Sequence, residues 1–291
     1  MNDSDYHWRR MKKKDIPHTE KYLFDIENDY VSACGRYLNR DESKDPIWLL
    51  SGKNGNLRAL IVNSRSTVIP VLCGLEKLPE LNFLRGFFRT KKIHSIQGSK
   101  KEVLIMENSV MNFGWKITDT IDYDFMILNR KQRTENKQQR IENREKIGIN
   151  NLVLKKPRLV DLDAIAPLQA AYEKEEVIPN GSDFHAAASR INIARIIADG
   201  KILAAEVDGK FIGKINVSSV SFTKYLIGGV YIHPDFRGQG IARAMASVFI
   251  DSLLMNGKDT TLFVKKSNNA ARRLYASLGF KIQDDYRITY F

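Results

Sequence analysis

The stretch that decides the fold is residues 230–243, VYIHPDFRGQGIAR. The apolar residues before His233 predict a buried strand, which Pro234 ends because proline donates no hydrogen bond and restricts the residue before it. After the segment RGQG, an apolar pattern with the period of a helix begins at Ile241. A strand, a loop of small residues and a helix start bring free backbone N–H groups and the positive end of a helix dipole to one point. The stretch therefore predicts an anion-binding site.

The glycines of this loop let an anion approach the main chain closely, because Gly238 and Gly240 have no Cβ. The alternative is a glycine loop that only turns the chain. A second motif argues against that alternative. It consists of a predicted strand, then Asn268, a predicted helix that carries Tyr275, and a Gly-Phe exit.

Together the two motifs resemble the acyl-CoA-binding signatures of the GNAT family of N-acetyltransferases. The family pattern is Arg or Gln, two residues, Gly, one residue, then Gly or Ala, and Arg237, Gly240 and Ala242 match it. The resemblance covers residues 152–290. It implies an α/β fold, with a mixed, mostly antiparallel sheet flanked by helices, and acetyl-CoA as the co-substrate.

The resemblance also implies a role for each residue of the site. The pantetheine arm of CoA would pair with the strand, and the pyrophosphate would lie on the loop amides with Arg237 adding charge. An amide near Val230 or Ile232 would polarise the thioester carbonyl. Tyr275 would protonate the leaving thiolate as the catalytic acid, and the alternative for this tyrosine is simple core packing. The expected cofactor-binding residues are Val230, Tyr231, Ile232, Arg237, Gly238, Gln239, Gly240, Ile241, Ala242 and Asn268.

The residue expected to act as general base is missing from this pattern. Many relatives place a glutamate in the cofactor strand, but residues 226–229 are Leu, Ile, Gly and Gly here. The candidates are a water chain and the carboxylates of Glu206, Glu175 and Glu176, and for each glutamate the alternative is a surface or packing carboxylate. Because Glu175 and Glu176 end a predicted acidic helix, we also expect them to favour a cationic amine. The acceptor would be a small molecule, a protein lysine or a protein N-terminus.

Two domains are predicted, an α/β domain over residues 1–148 and the catalytic domain over residues 149–291. The order of predicted elements in the first half resembles a degenerate GNAT copy without the CoA loop, and the segment HSIQG at residues 94–98, followed by a helix and Trp115, carries this weaker resemblance. The first domain ends in a charged linker, residues 129–148. That linker is either an exposed helix or a flexible connector, with RNA binding as a further alternative.

Composition limits the partners and the compartment. The chain has 291 residues, 43% of them hydrophobic, and a net charge of +12. The electric field of such a positive charge attracts polyanions. We favour a solvated basic surface, however, and do not expect nucleic acid as a partner. Cys34 and Cys73 have no zinc-site spacing, so we expect no metal and two reduced thiols. Without a long apolar run or a secretory signal pattern, we expect a cytoplasmic protein that does not bind a membrane.

The function expected from these features is acetyl-CoA-dependent N-acetyl transfer to a primary amine, by direct attack on the thioester. The alternative is a GNAT fold that senses acyl-CoA, or holds a nucleic acid or protein partner, without turnover. The sequence leaves open the acceptor and the oligomeric state.

Overall fold

The chain forms two compact units in a computed structural model, which describes residues 6–52, 54–79, 86, 93–130, 151–179 and 183–291. The first unit consists of Met1–Phe125, Val264–Asn268 and Ile282–Phe291, and the second of Met126–Phe263 and Asn269–Lys281. The predicted linker lies almost wholly outside the described residues. The predicted domain boundary after residue 148 therefore stays a prediction.

In its described residues the first unit begins with a strand and two helices and continues as a sheet with one further helix. The strands, most or all of whose residues belong to this unit, are β1 (Tyr6–Arg10), β2 (Ile47–Gly52), β3 (Leu57–Ser64), β4 (Thr67–Val71), β5 (Ser95–Ser99), β6 (Asp119–Leu128) and the last strand of the chain, β12 (Lys281–Tyr290). The helices are α1 (Ile16–Asp25), α2 (Glu27–Leu38) and α3 (Lys100–Met111).

The sheet of the first unit has the strand order β1-β2-β3-β4-β5-β12-β6. Strands β1 to β4 pair with one another in antiparallel fashion. Strands β4 and β5 are parallel, and β12 is antiparallel to β5. Apolar side chains of the strands and of α3 form its core, which includes Trp8, Leu50, Ile61, Val68, Ile96, Val103 and Met106.

The second unit repeats this plan with an additional helix. Its strands are β7 (Leu152–Lys155), β8 (Ile202–Val207), β9 (Lys210–Val220), β10 (Lys224–Ile232) and β11 (Asp259–Lys265). Its helices are α4 (Leu162–Tyr172), α5 (Ala186–Ala198), α6 (Ile241–Met255) and α7 (Asn269–Ser277), and a π-helical turn, Glu173–Val177, extends α4.

The sheet of the second unit has the order β11-β10-β9-β8-β7, antiparallel except for the pair β10 and β11. Helices α4 and α5 bury their apolar faces against β8 and the end of β10, through Ile165, Leu168, Ile193, Ile197, Ile202 and Tyr231.

Within the described residues both halves therefore run strand, two helices, three strands, a parallel strand, a helix and a strand, and the second half has the additional helix α6 just before its parallel strand. The predicted fold class, mixed α/β with mostly antiparallel strands flanked by helices, is confirmed. The repeated order agrees with the interpretation of the first half as a second copy of the plan.

Candidate functional site

Strand β10 loses its neighbour β11 just before the predicted cofactor residues. The parallel register runs from Lys224 opposite Asp259 to Ile227 opposite Leu262 and includes no later residue of β10. The backbone of residues 228–232 is thus not in register with β11. This is the local geometry in which an extended ligand can add to a strand edge.

On its other side β10 carries a bulge. The register with β9 passes from Gly228 opposite Asn216 to Tyr231 opposite Lys214, so that Gly229 and Val230 are skipped. Gly229 has φ of +59°, and a Cβ there would lie 2.0 Å from Asn216 Oδ1 and 2.6 Å from Lys214 Nζ. Glycine is therefore required at this position both for its backbone conformation and for space.

The loop after β10 has the open conformation that an anion needs. Gly238 and Gly240 have φ of +78° and +81°, and a Cβ built on either would meet nothing within 4 Å. Gly240 is the N-cap of α6 and no side chain caps that helix end. Because the first N–H groups of a helix have no intrahelical partner, those of α6 face the open loop. The residues present fit a phosphate group at this place.

Arg237, expected to add charge to this loop, makes contacts of its own. Its Nε donates to the carbonyl of Ile232 over 2.9 Å, and its Nη2 donates to Glu175 Oε2 over 2.8 Å. The guanidinium also lies 5.3 Å from the ring centroid of Tyr231. The ion pair is 44% exposed on both sides, so it contributes little to stability, and a phosphate can compete for the guanidinium.

The acidic segment after α4 splits into two carboxylates in different surroundings. Glu175 is exposed and paired with Arg237. Glu176 is partly buried and acts electrostatically on Tyr172 and Tyr275. Of the two predicted substrate residues, Glu176 is thus the one that the fold brings to the predicted acid.

Tyr275 is buried on α7 and its ring packs edge-on against Phe280, with centroids 5.9 Å apart. Burial raises the pKa of Tyr275 above its usual value, and the nearby Tyr172 and Glu176 raise it further. The phenol is therefore protonated at neutral pH, which is the state an acid requires.

Two other candidates lie elsewhere in the fold. Glu206 on β8 forms a salt bridge with Lys155 of β7, which favours the packing alternative for this carboxylate. Asn268 belongs to the short segment assigned to the first unit, where its N–H donates to the carbonyl of Lys265. The predicted role of Asn268 at the cofactor stays a prediction.

A buried polar cluster lies under the bulge and was not predicted from the sequence. Lys214 is 0% exposed, and its Nζ donates to the carbonyl of Gly229 over 2.8 Å and to Asn216 Oδ1 over 3.0 Å. The same nitrogen lies 4.8 Å from the ring centroid of Tyr172. Burial lowers the pKa of Lys214 to about 7, and the nearby Glu173 opposes this shift. The signal in the sequence that indicates this cluster is a lysine inside the apolar strand FIGKINV.

The corresponding strand end in the first unit binds a carboxylate of the chain itself. The N–H groups of Leu72 and Cys73, which follow β4, each donate to Glu102 Oε1 over 2.9 Å. The hydroxyl of Tyr30 donates to the same oxygen over 2.5 Å. These backbone donors are already occupied by the buried carboxyl group of Glu102, which distinguishes this strand end from the open loop after β10.

The described residues show neither a metal-binding group nor a membrane-spanning helix. Among them, no three His, Cys, Asp or Glu side chains are grouped so that they could hold a metal ion. None of the helices in the described ranges has the length and apolar character needed to cross a membrane.

Known proteins resemble this chain in sequence and in fold. An acetyltransferase of Sodalis glossinidius is 34% identical over 85 residues, which are 28% of this chain and 58% of that protein. A solved Drosophila protein superposes with a TM-score of 0.67 at 10% identity, covering 98% of both chains. A tandem GNAT protein from the clavulanic acid biosynthesis pathway gives a TM-score of 0.60 at 12% identity, covering 98% of this chain and 97% of that one.

The chain spans 58% of the length of the curated relatives it matches, and the two structural likenesses concern the fold alone. The model of the acetyltransferase (GNAT) family matches residues 168–280. That range contains the splayed strand β10, the glycine loop, α6 and Tyr275. Residues 168–280 of the chain are thus similar to the GNAT acetyltransferase family.

Proposed function

We propose that the chain is an acetyl-CoA-dependent N-acetyltransferase that acts on a primary amine. The observation that carries the proposal is the open loop at Gly238 and Gly240, which leads directly into the uncapped N-terminus of α6. A helix end of this kind attracts negative charge, and the missing Cβ atoms leave room for a pyrophosphate.

The residues that would hold the co-substrate follow from this loop. The N–H groups of residues 238–242 would bind the pyrophosphate, while Arg237 would exchange its exposed partner Glu175 for a phosphate oxygen. The splayed backbone of Val230, Tyr231 and Ile232 would pair with the pantetheine arm. Asn268 would hold the same arm or orient Tyr275.

Acetyl-CoA supplies an acetyl group activated as a thioester. The acceptor nitrogen forms the new C–N bond at the thioester carbon while the C–S bond breaks, and no covalent enzyme intermediate is required. A cationic amine first loses one proton to solvent to become the nucleophile. Its nitrogen loses a second proton to a water chain or a nearby carboxylate as the amide forms, and the thiolate gains one. Tyr275 would donate the proton to sulfur, because its raised pKa keeps the phenol protonated until a strong base forms beside it.

The acceptor class follows from the acidic turn after α4. The charge of Glu176 acts on Tyr172 and Tyr275. A carboxylate at this place attracts a cationic amine. Glu175 would contribute through Arg237 rather than by direct contact. Charge reversal at Glu176 should raise the KM for the amine and leave acetyl-CoA affinity unchanged, whereas charge reversal at Glu175 releases Arg237 and should also change acetyl-CoA affinity. Unchanged amine kinetics would contradict this assignment.

Titration calorimetry with acetyl-CoA on the full chain tests the binding part of the proposal. Gly240→Glu should abolish binding, because it places a carboxylate at the pyrophosphate site. Gly209→Glu is the matched control, since Gly209 has φ of +79° and equally open surroundings in the β8–β9 turn. Full retention of binding in Gly240→Glu would refute the assignment of the loop.

A thiol-release assay over a panel of amines then tests turnover. Release of CoA thiol that depends on one class of amine supports an enzyme and identifies the acceptor class. Binding of acetyl-CoA without thiol release from any amine would instead favour the acyl-CoA sensor, the alternative function.

A further inference from the structure

Lys214 has no part in the reaction as described so far, yet it lies directly against the splayed strand. Its ammonium group is fully buried and donates to the carbonyl oxygen of Gly229 and to Asn216. A buried lysine is unfavourable unless its hydrogen-bond donors are satisfied. The bulge provides this satisfaction, since it turns the Gly229 carbonyl towards β9.

The Gly229 carbonyl belongs to the same peptide unit as the N–H of Val230. A trans peptide is planar, so the two groups point in opposite directions and the Val230 N–H points away from Lys214. A charge-assisted hydrogen bond to the carbonyl oxygen polarises the whole peptide unit and makes its N–H a stronger donor. The charge of Lys214 is thus transmitted through one peptide to the opposite edge of the strand.

That edge is where a thioester would lie. The N–H of His233 donates to the carbonyl of Ile212 in β9, and along a strand successive N–H groups point to alternate sides. The N–H of Tyr231 therefore points towards β9, and the N–H of Val230 points to the side of β11. On that side the register with β11 has ended at Ile227.

We propose that Lys214 is a positioning residue that polarises the Gly229–Val230 peptide and so strengthens the hydrogen bond from the Val230 N–H to the thioester carbonyl oxygen. This inference rests on the proposed function. Lys214 does not touch the substrate, because it is enclosed on every side by protein.

The effect requires the charged form of Lys214, so it depends on pH. Tyr172 of α4 and Glu173 of the π-helical turn face the ammonium group, and Glu176 and Tyr275 lie beside Tyr172. The register partners of Lys214 are Ala204 of β8 and Tyr231 of β10, and only the tyrosine can titrate. Because the pKa of Lys214 is lowered to about 7, the polarisation should be present below that pH and lost above it.

Infrared difference spectroscopy of acetyl-CoA labelled with ¹³C at the carbonyl measures this polarisation on the full chain without an acceptor amine. In the wild-type complex we expect the thioester carbonyl band to lie at lower frequency at pH 6 than at pH 8.5, with a midpoint near 7. In Lys214→Met the band should stay at the higher frequency at both pH values. Lys210→Met, an exposed change on the same strand, should behave as wild type.

Asn216→Asp provides a second variant that retains the lysine. A carboxylate at the position of Asn216 Oδ1 favours the ammonium form, so the midpoint of the band shift should rise by about 1 pH unit or more. A wild-type band that does not move with pH would overturn the proposal, and so would an unchanged shift in Lys214→Met. Failure of acetyl-CoA to bind the wild-type chain would instead refute the proposed function.

Discussion

Replacing Gly229 by alanine tests the geometry on which the site depends. The residue has φ of +59°, and the new Cβ would lie 2.0 Å from Asn216 Oδ1 and 2.6 Å from Lys214 Nζ. Both contacting atoms are the ends of side chains and could rotate away. Because Lys214 and Asn216 are buried, such a rotation breaks hydrogen bonds that the surrounding protein cannot replace.

The magnitude has two parts. A left-handed conformation costs a residue with a Cβ about 1–2 kcal/mol. Losing a buried hydrogen bond to a charged group costs about 1.5–3 kcal/mol more. We therefore expect Gly229→Ala to lower the free energy of unfolding of the second unit by about 3–5 kcal/mol. Since 1 kcal/mol corresponds to about 2–4 °C in a unit of this size, Tm should fall by about 6–20 °C.

The control is Gly209→Ala, in the β8–β9 turn of the same unit. Gly209 has φ of +79° with nothing within 4 Å of a Cβ, so only the conformational part applies, about 1–2 kcal/mol. Adding Asn216→Ala to Gly229→Ala removes the closest contact and should restore part of the loss, which appears as coupling in a double-mutant cycle.

Differential scanning calorimetry suits this comparison better than intrinsic fluorescence. The three tryptophans are Trp8, Trp48 and Trp115, and all of them belong to the first unit. The calorimetric transition of the second unit should move much further in Gly229→Ala than in Gly209→Ala. If the two variants melt within about 2 °C of each other, the packing of Lys214 and Asn216 against Gly229 is wrong.

Three further outcomes follow from the site. Tyr275→Phe should lower kcat by about 100-fold and leave acetyl-CoA affinity by calorimetry unchanged, because it removes only the proton donor; an unchanged kcat would contradict the assignment. Arg237→Gln and Glu175→Gln should show a coupling of about 0.2–1 kcal/mol in a stability cycle, as expected for a half-exposed pair, and a coupling above about 2 kcal/mol would contradict the exposed position of this pair. In the folded chain the pKa of Lys214 is lowered from 10.5 to about 7, so between these values the unfolded state binds more protons and the wild-type Tm should rise with pH relative to Lys214→Met; parallel pH profiles of the two proteins would contradict a buried ammonium group at this position.

Helices whose ends are marked by residues such as glycine were predictable from the sequence. The predicted helix from Ile241 onwards corresponds to α6 (Ile241–Met255), and its start is marked by the glycine loop before it. The pair Asp208-Gly209 is typical of a two-residue hairpin turn, and it joins β8 to β9 in the structure. In these places local signals, periodicity and residues with special backbone freedom, determine the structure without help from distant contacts.

Strand β1 was not predicted, and its physical reason is tertiary. The residues Tyr6–Arg10 are mostly polar and basic, and only Trp8 among them is buried. The strand exists because it pairs along β2, with Tyr6 opposite Gly52. A basic edge strand of this kind carries little apolar pattern, since it contributes one side chain to the core.

The apolar spacing in residues 20–38 predicts one helix, but the structure has two. Helix α1 starts earlier, at Ile16, with a proline in its first turn, and ends at Asp25. Ile26, with φ of −105° and ψ of 7°, separates it from α2. Apolar spacing continued across the break because both helices bury side chains in the first unit, so periodicity alone could not locate it.

The face of Phe211 in strand β9 differs from the one that alternation predicts. Strict alternation puts Phe211, Ile215 and Val217 on one face of the strand, and Lys214 and Asn216 on the other. A register shift lies between the pairs Ala205–Gly213 and Glu206–Phe211, and Phe211 packs in the same cluster as Ala204, the register partner of Lys214. A bulge thus changes the face of every later residue, and no local signal announced it.

The missing strand carboxylate and the buried lysine are two consequences of one arrangement. Residue 229 is a glycine because its side-chain volume is filled by Lys214 and Asn216 from the neighbouring strand. Those two polar side chains are tolerated inside the sheet because the bulge at Gly229 turns a carbonyl towards them. The space that a side chain at position 229 of β10 would need is therefore occupied by side chains of β9. The same contact that excludes a side chain from β10 brings a charge to the peptide that faces the open edge of the strand.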